Sequence, residues 1–375
     1  NVANFSDMID SISIENFKNL SGLTIPELSR INLISGKNNV GKSSLLEALG
    51  IFISDTELLE IITNRGEFHK SYQGSGNPAD SDRNLEALSS IFTGREKSCD
   101  ESKRITIRDA ENVVTLGFQQ FAQVSIPNED GMISPRFIKI DHPDHLTNNL
   151  WQALVITRNG IVSSRLFTDK KLDSARFHDS LKQNGFKNLI VIDSTDNNDT
   201  EGASSLWDRI TLTDKEQYVI EALRIIEPGI ENIAFLESSA FRGRYPVVKV
   251  KGISGRIPLR SMGDGINHIL SFILAIVNCE DGCVMIDEID NGLHYSVQKQ
   301  LWEIIFKISK KLNVQIFATT HSSDCISSFG KVLSADDNMA EGQYIRLEYK
   351  GNKVCATTYN PSELDIVAAQ NIEIR

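Results

Sequence analysis

The chain has 375 residues, 40% hydrophobic and 24% charged, with a formal net charge of −11. That length exceeds one ordinary domain and calls for a large domain with an inserted lobe, or for two domains. The acidic balance argues against a strong sequence-independent grip on nucleic acid, which comes from neutralising phosphates with Lys and Arg. No apolar run reaches the roughly 18 residues that would suggest a membrane span, so no membrane partner is expected; the most apolar stretch, "ILSFILAIV" (Ile269 to Val277), reads as a buried helix. Cys99, Cys279, Cys283, Cys325 and Cys355 form no metal-ligand spacing and suit a reducing compartment. The first residues lack the charged-then-apolar plan of a signal peptide, so a cytoplasmic location is expected.

In chain order, "MIDSISIENFKNLSGLTI" alternates apolar and polar residues around Ile12 and Ile14, then around Leu23 and Ile25, as a hairpin-like pair of half-buried strands would. "INLIS" (Ile31 to Ser35) is a short apolar strand. It delivers "GKNNVGKSS", in which Gly36 and Gly41 bracket four residues before Lys42 and Ser43, the G-x-x-x-x-G-K-[ST] pattern. A helix leaves the loop, with Leu45, Leu46, Ala48, Leu49 and Phe52 at helical intervals. In that geometry backbone N–H groups and a helix N-terminus converge on a β-phosphate, Lys42 reaches the β/γ oxygens and Ser43 reaches Mg²⁺.

"HKSYQGSGNPADSDR" (His69 to Arg83) reads as a loop. Residues from about 104 to 195 read as β-rich, through "RITIRD", "NVVTLGFQQFAQV", "RFIKI", "ALVIT" and "NLIVIDS". "TDKEQYVIEALRIIEP" then opens with Thr213 and Glu216 at capping-box spacing and shows helical periodicity up to Pro228. "FRGRYPVVKVKG" carries Arg242, Arg244, Lys249 and Lys251; the solvated face of a strand pair explains it better than a nucleic-acid patch.

"PLRSMGDGINHILSFILAIV" sets Ser261, Gly263, Asp264 and Gly265 just before an apolar helix, offering an anion a second helix N-terminus. "GCVMIDEIDNGLH" is an apolar strand ending in Asp287 and Glu288. In a nucleoside triphosphatase the first acid would hold Mg²⁺ through water and the second would deprotonate the attacking water. One helix ("YSVQKQLWEIIFKISKKL") and one strand ("NVQIFATTHSSD") later comes His321, the interval that returns a parallel sheet to the same edge.

This order of parts resembles the ABC-type ATPases of the SMC/RecF class, and within it the small bacterial ATPases related to OLD (overcoming lysogenization defect) proteins. The resemblance rests on "IENFKNL" at the start, "GKNNVGKS" as Walker A, "SMGDG" as signature, "VMIDE" as Walker B, "IDNGLH" as D-loop and "TTHS" as switch. It implies an α/β P-loop head, a mixed sheet with flanking helices, interrupted by a β-rich and helical insertion between Walker A and signature. The implied division is 1–60 with Walker A, 61–250 as the inserted lobe, part of it completing the head, 251–335 with the remaining motifs, and 336–375 as a short extension.

The resemblance further implies an Mg²⁺-dependent ATPase, with Gly36, Asn38, Asn39, Gly41, Lys42, Ser43 and Ser44 around the nucleotide, Ser43 and Asp287 at the metal, and Glu288, His321 and Lys42 in catalysis. ATP would be sandwiched in a homodimer: Ser261, Gly263 and Gly265 of one head meet the γ-phosphate on another, and Asp290 and Asn291 line the seam. "SMGDG" departs from the transporter signature LSGGQ, and Gln119 and Gln120 in "GFQQF" are the candidates offered for a Q-loop. Lys18 is a further candidate near the nucleotide. The functional expectation is an ATP-driven switch governing a separately encoded effector, a TOPRIM-type nuclease being one form, in anti-phage defence or DNA maintenance. The residues after 330 are too few for a nuclease domain. The alternatives are a transporter-type ATPase subunit and a DNA-repair ATPase acting directly on DNA; a GTPase switch would need an N-K-x-D string, which is missing.

Overall fold

The computed structural model describes residues 8–54, 61, 78–127, 133–140, 150–168, 188–193, 200–237, 243–335, 341–359 and 363–364. Its central element is a six-stranded sheet in the order β16-β15-β3-β14-β13-β9. The strands are β3 (Ile31–Gly36), β9 (Leu189–Ile192), β13 (Cys283–Ile286), β14 (Gln315–Thr319), β15 (Gly342–Lys350) and β16 (Lys353–Tyr359). All pair in parallel except β16, which closes the β15 edge as an antiparallel hairpin. β3, β13 and β14 are buried at every position, as parallel strands covered on both faces must be. The register, Ile192↔Ile286, Ile286↔Ala318 and Thr319↔Ile34, brings their C-terminal ends to one edge.

Alternation along these strands feeds two cores. Ile31, Leu33, Val284 and Ile286 point into one, while Ile34, Cys283, Met285 and Phe317 point into the other. The first core is filled by helices α4 (Lys215–Leu223), α5 (Asp264–Asn278), α6 (Tyr295–Leu312) and α7 (Ser323–Leu333). It also takes in the three-stranded sheet of β10 (Ile230–Glu237), β11 (Arg244–Val250) and β12 (Ile257–Pro258), and α3 (Thr200–Ile210) through Trp207 and Ile210. The second core holds α1 (Lys42–Ile53) and α2 (Pro78–Ser89) beneath a seven-stranded antiparallel sheet. That sheet comprises β1 (Ile12–Glu15), β2 (Leu23–Ile25), β4 (Ile105–Arg108), β5 (Val113–Pro127), β6 (Ile133–Ile140), β7 (Leu150–Arg158) and β8 (Ile161–Phe167).

Four sequence expectations change. The expected loop over residues 69–83 is helical from Pro78, where proline suits a first helical turn; residues 69–77 lie outside the described ones. A boundary at 60/61 would cut through one sheet, because β1 pairs with β4 at Ile14↔Ile107. Nor does β15, within the 336–375 extension, stand apart from the head: it pairs with the phosphate-loop strand from Gly342↔Ile31 to Leu347↔Gly36. At α4 the capping pair is offset, with Thr213 Oγ1 accepting from Lys215 N at 3.3 Å and Glu216 Oε1 from Leu212 N at 2.5 Å. Of the basic residues at 242–251, Arg242 lies outside the described residues, Lys249 pairs with Glu231 across the β10/β11 strand pair, as its solvated face would, and Arg244 pairs with Asp208 of α3.

Candidate active site at the C-terminal edge of the parallel sheet

β3 ends where the chain must turn within touching distance of its neighbour. Gly36 has φ 146°, and a Cβ there would come within 2.5 Å of the Leu347 carbonyl oxygen in β15. Gly41 has φ 110°, and a Cβ there would strike the Asn19 amide at 2.8 Å. Between them Asn39 adopts the left-handed conformation with φ 60°, and α1 starts directly at Lys42. Glycine is thus required by close approach as well as by torsion, and the loop runs directly into a helix N-terminus, whose first N–H groups have no intrahelical acceptor.

Lys42 is 6% exposed. Its ammonium donates to the carbonyls of Gly36 at 2.9 Å and Lys37 at 3.2 Å, and lies 3.4 Å from His321 Nδ1. Burial holds its pKa below the ordinary lysine value, opposed by the charges of Asp287, Glu288 and Asp290. With the ammonium as donor, His321 Nδ1 must accept, which leaves the ring proton on Nε2. That nitrogen faces Glu288 Oε1 at 3.8 Å.

Ser43 Oγ donates to Asp287 Oδ2 at 3.0 Å, across 244 residues of sequence. The other Asp287 oxygen accepts from the Thr319 hydroxyl, and Asp287 N donates to Ile192 O at 3.0 Å. Thr319 Oγ1 also accepts from Glu288 N at 2.8 Å, so one buried hydroxyl fixes both acids. Glu288 itself has φ 55°, uncommon for a non-glycine residue, and its side chain is 41% exposed. Thr320 Oγ1 donates to Asp290 Oδ1 at 2.5 Å, holding the segment after the acids against the switch strand.

The donor set of hydroxyl and carboxylate oxygens suits Mg²⁺, which keeps most of its shell as water and phosphate oxygen. Among the described residues no group of three or more His, Cys, Asp or Glu side chains is arranged to hold a metal ion. The second helix N-terminus is built differently. Ser261 lies in a short 3₁₀ turn, its Oγ donating to Pro258 O at 2.7 Å, and Gly263 has φ 99° and ψ 166°, a region open to glycine. A Cβ on Gly265 would come 2.8 Å from the Gly292 carbonyl, so the turn packs closely on the segment carrying Asp290 and Asn291. A cavity of about 880 Å³ lies beside this turn and away from the phosphate loop, between β9, α3 and α5, and reaches Asp193, Arg209, Asp264 and Asn291.

Thus Lys42, Ser43, Asp287, Glu288 and His321 meet at one edge with Gly36, Asn38, Asn39, Gly41 and Ser44 in the adjoining loop and helix start, while Ser261, Gly263 and Gly265 form a separate turn. Gln119 and Gln120 are not in a loop: they sit mid-strand in β5, opposite Ala153 and Gln152. Lys18 is ion-paired with Glu47 of α1. The roles of Thr319, Thr320, Asn19 and Tyr349 were not foreseen. Asn19 Nδ2 donates to Val40 O at 3.1 Å, and Tyr349 OH donates to Asn39 O at 3.4 Å. The only sequence trace of the threonines is a pair of hydroxyls ending an apolar strand.

The family described as "AAA domain, putative AbiEii toxin, Type IV TA system" matches residues 31–326, from the phosphate-loop strand to the helix after His321. The chain belongs to this family. It is an AAA-domain ATPase with a P-loop α/β fold. An "ATP/GTP phosphatase" of Helicobacter pylori is 23% identical over 376 residues, covering 96% of this chain and 97% of that protein. An uncharacterized protein of Methanocaldococcus jannaschii is 29% identical over 160 residues, 39% of this chain and 66% of that protein. The fold matches an SMC head solved bound to the C-winged helix domain of ScpA, with a TM-score of 0.51 and 12% identity over 94% of this chain and 98% of that one. Among the described residues no helix is long and apolar enough to cross a membrane.

Proposed function

We propose that this family member is an Mg²⁺-dependent ATP switch whose two half-sites meet in a homodimer. The observation that carries the reading is the 3.0 Å bond from Ser43 to Asp287, which joins the phosphate loop to the acid pair through side chains that both suit a hard cation. ATP would lie on the loop, with Asn38, Asn39, Gly41 and Ser44 contributing backbone around the phosphates and Lys42 turning from its own carbonyls to the β/γ oxygens. Ser43 and Asp287 would hold Mg²⁺, which when bound neutralises developing charge on the phosphates. Glu288 would take the proton of the attacking water, and His321, with its proton on Nε2, would donate toward the γ-phosphate.

The second half-site would come from another copy. Ser261, Gly263 and Gly265 would approach the γ-phosphate in trans, with Asp290 and Asn291 along the seam. The packing at Gly265, where a Cβ would come within 2.8 Å of the Gly292 carbonyl oxygen, supports coupling between the signature turn and that segment. The chain would be organised as a head made of the six-stranded sheet and its helices, with the antiparallel sheet as a lobe over α1.

The output would be read by a separately encoded effector, a nuclease of the TOPRIM type being one form, in anti-phage defence or DNA maintenance. Two likenesses support it: the family description names a toxin–antitoxin system, and an SMC head of the same fold carries a bound partner domain. The negative net charge keeps direct nucleic-acid binding weak. Cytoplasmic action fits the reduced-thiol composition. The decisive experiment is equilibrium binding and steady-state hydrolysis of Mg-ATP by wild type and Lys42→Ala. Binding should fall by at least about 100-fold, since a buried charge-assisted contact to phosphate is lost. A Lys42→Ala protein that binds and hydrolyses ATP like wild type would overturn the assignment.

A further inference from the structure

The sheet order gives the bound nucleotide a direction. β3 stands between β15 on one flank and β14 and β13 on the other. Asp287 and His321, which follow β13 and β14, both reach the loop from that second flank, through Ser43 and Lys42. The terminal phosphate and its cation therefore belong on the β14 side. The nucleoside must leave on the opposite flank, toward β15 and the loop that carries Lys18 and Asn19.

On that flank stands Tyr349, at the end of β15 before the hairpin turn and 52% exposed. Its hydroxyl accepts from Asn19 Nδ2 at 3.2 Å and donates to Asn39 O at 3.4 Å. Asn19 is itself anchored on Val40 O, so the phenol is pinned at its tip to the phosphate-loop backbone. Among the exposed large hydrophobic side chains of the described residues, Tyr349 is the one bonded to that loop. A phosphate cradle grips only the triphosphate. A tethered aromatic ring with open surface, placed where the nucleoside emerges, supplies what the cradle lacks.

We propose that Tyr349 is the nucleobase platform of this site, stacking on the purine of the bound triphosphate. This rests on the phosphate-loop reading above and adds a residue from the C-terminal hairpin to it. Stacking tolerates either purine, because every base has a π-face.

The test is isothermal titration of wild type, Tyr349→Ala and Tyr349→Phe with Mg-ATP and, separately, with Mg-tripolyphosphate. Tyr349→Ala should weaken ATP about ten-fold, the usual scale of one stacked base, and leave tripolyphosphate unchanged. Tyr349→Phe, which keeps the ring, should stay near wild type on both. An equal loss on both ligands would make Tyr349 a prop of the loop and overturn the proposal, as would no loss on either. Lys42→Ala separates the two failures. Tripolyphosphate binding that survives Lys42→Ala sinks the phosphate-loop reading and the platform with it. If Lys42→Ala abolishes binding while Tyr349→Ala spares ATP, the platform alone falls.

Discussion

The two helix N-termini of the head are unlike in how they are finished. At the phosphate loop, groups are paired inward: Lys42 with two loop carbonyls, Ser43 with Asp287, Thr319 with both acids. At the signature turn, Ser261 is exposed and bonded only to a carbonyl three residues back, and Gly263 carries no side chain. One site has its polar and charged side chains partnered within the chain and can hold a ligand by exchanging partners. The other offers a hydroxyl and amides to whatever approaches. That contrast is what a composite site split between two copies requires, and each half can be attacked separately.

The largest effect is expected from Glu288→Gln. The amide still orients a water but cannot take its proton, so hydrolysis should drop about 10²- to 10⁴-fold while Mg-ATP binding persists. Sedimentation in ATP should then report a trapped dimer. An unchanged mass, with ATP demonstrably bound, would break the comparison by making the exposed turn irrelevant to the nucleotide. Ser261→Arg attacks the other half. The side chain is exposed, so folding and ATP binding by the single chain should be intact. Hydrolysis should nonetheless fall about ten-fold or more, by blocking the approach of a second head; full activity in this variant would argue for a site complete in one chain.

The contrast also explains how much could be read from sequence. The strand, loop and helix at Ile31–Ile53 were legible because each motif is local and the parallel strands, covered on both faces, appear as apolar runs that stop at polar residues. Asp287, Glu288 and His321 were legible for the same reason: each directly follows such a run. The antiparallel sheet was visible as β-rich sequence, but its pairing of β1 with β4 was not, since nothing local encodes a partner some 90 residues away. The entry of β15 beside β3 was hidden likewise: Gly342 and Ile31 meet from opposite ends of the chain. Tyr349, which reaches Asn39 across 310 residues and Asn19 across 330, was invisible on that account. Pro78–Ser89 was hidden by its setting, a helix starting inside a run rich in Gly, Ser, Asn and Asp.

A smaller effect separates the halves by stability alone. Thr319 is buried and its hydroxyl serves Asp287 and Glu288 N together. Thr319→Val keeps the shape but leaves a part-buried carboxylate oxygen and an amide without that partner, a loss of about 1–3 kcal/mol in urea unfolding; Thr319→Ser should restore most of it. A Thr319→Val protein as stable as wild type would mean the acids are held by other contacts.

The smallest effect is the mirror of that one. Ser261 also donates its hydroxyl, to a backbone carbonyl at 2.7 Å and not to a carboxylate, at an exposed turn where water can replace it. Removing it with Ser261→Ala should therefore change stability by less than about 0.5 kcal/mol, within the usual range of surface substitutions. If the hydroxyl is reserved for a γ-phosphate on another copy, the variant should instead lose turnover, with Mg-ATP affinity of the single chain unchanged. The measurement is a pair of urea titrations beside a turnover assay at saturating ATP, run over a range of protein concentration. A drop in stability comparable to that of Thr319→Val would show that the signature turn is finished internally like the phosphate loop. The asymmetry between the two helix N-termini would then give no support to a site shared between copies.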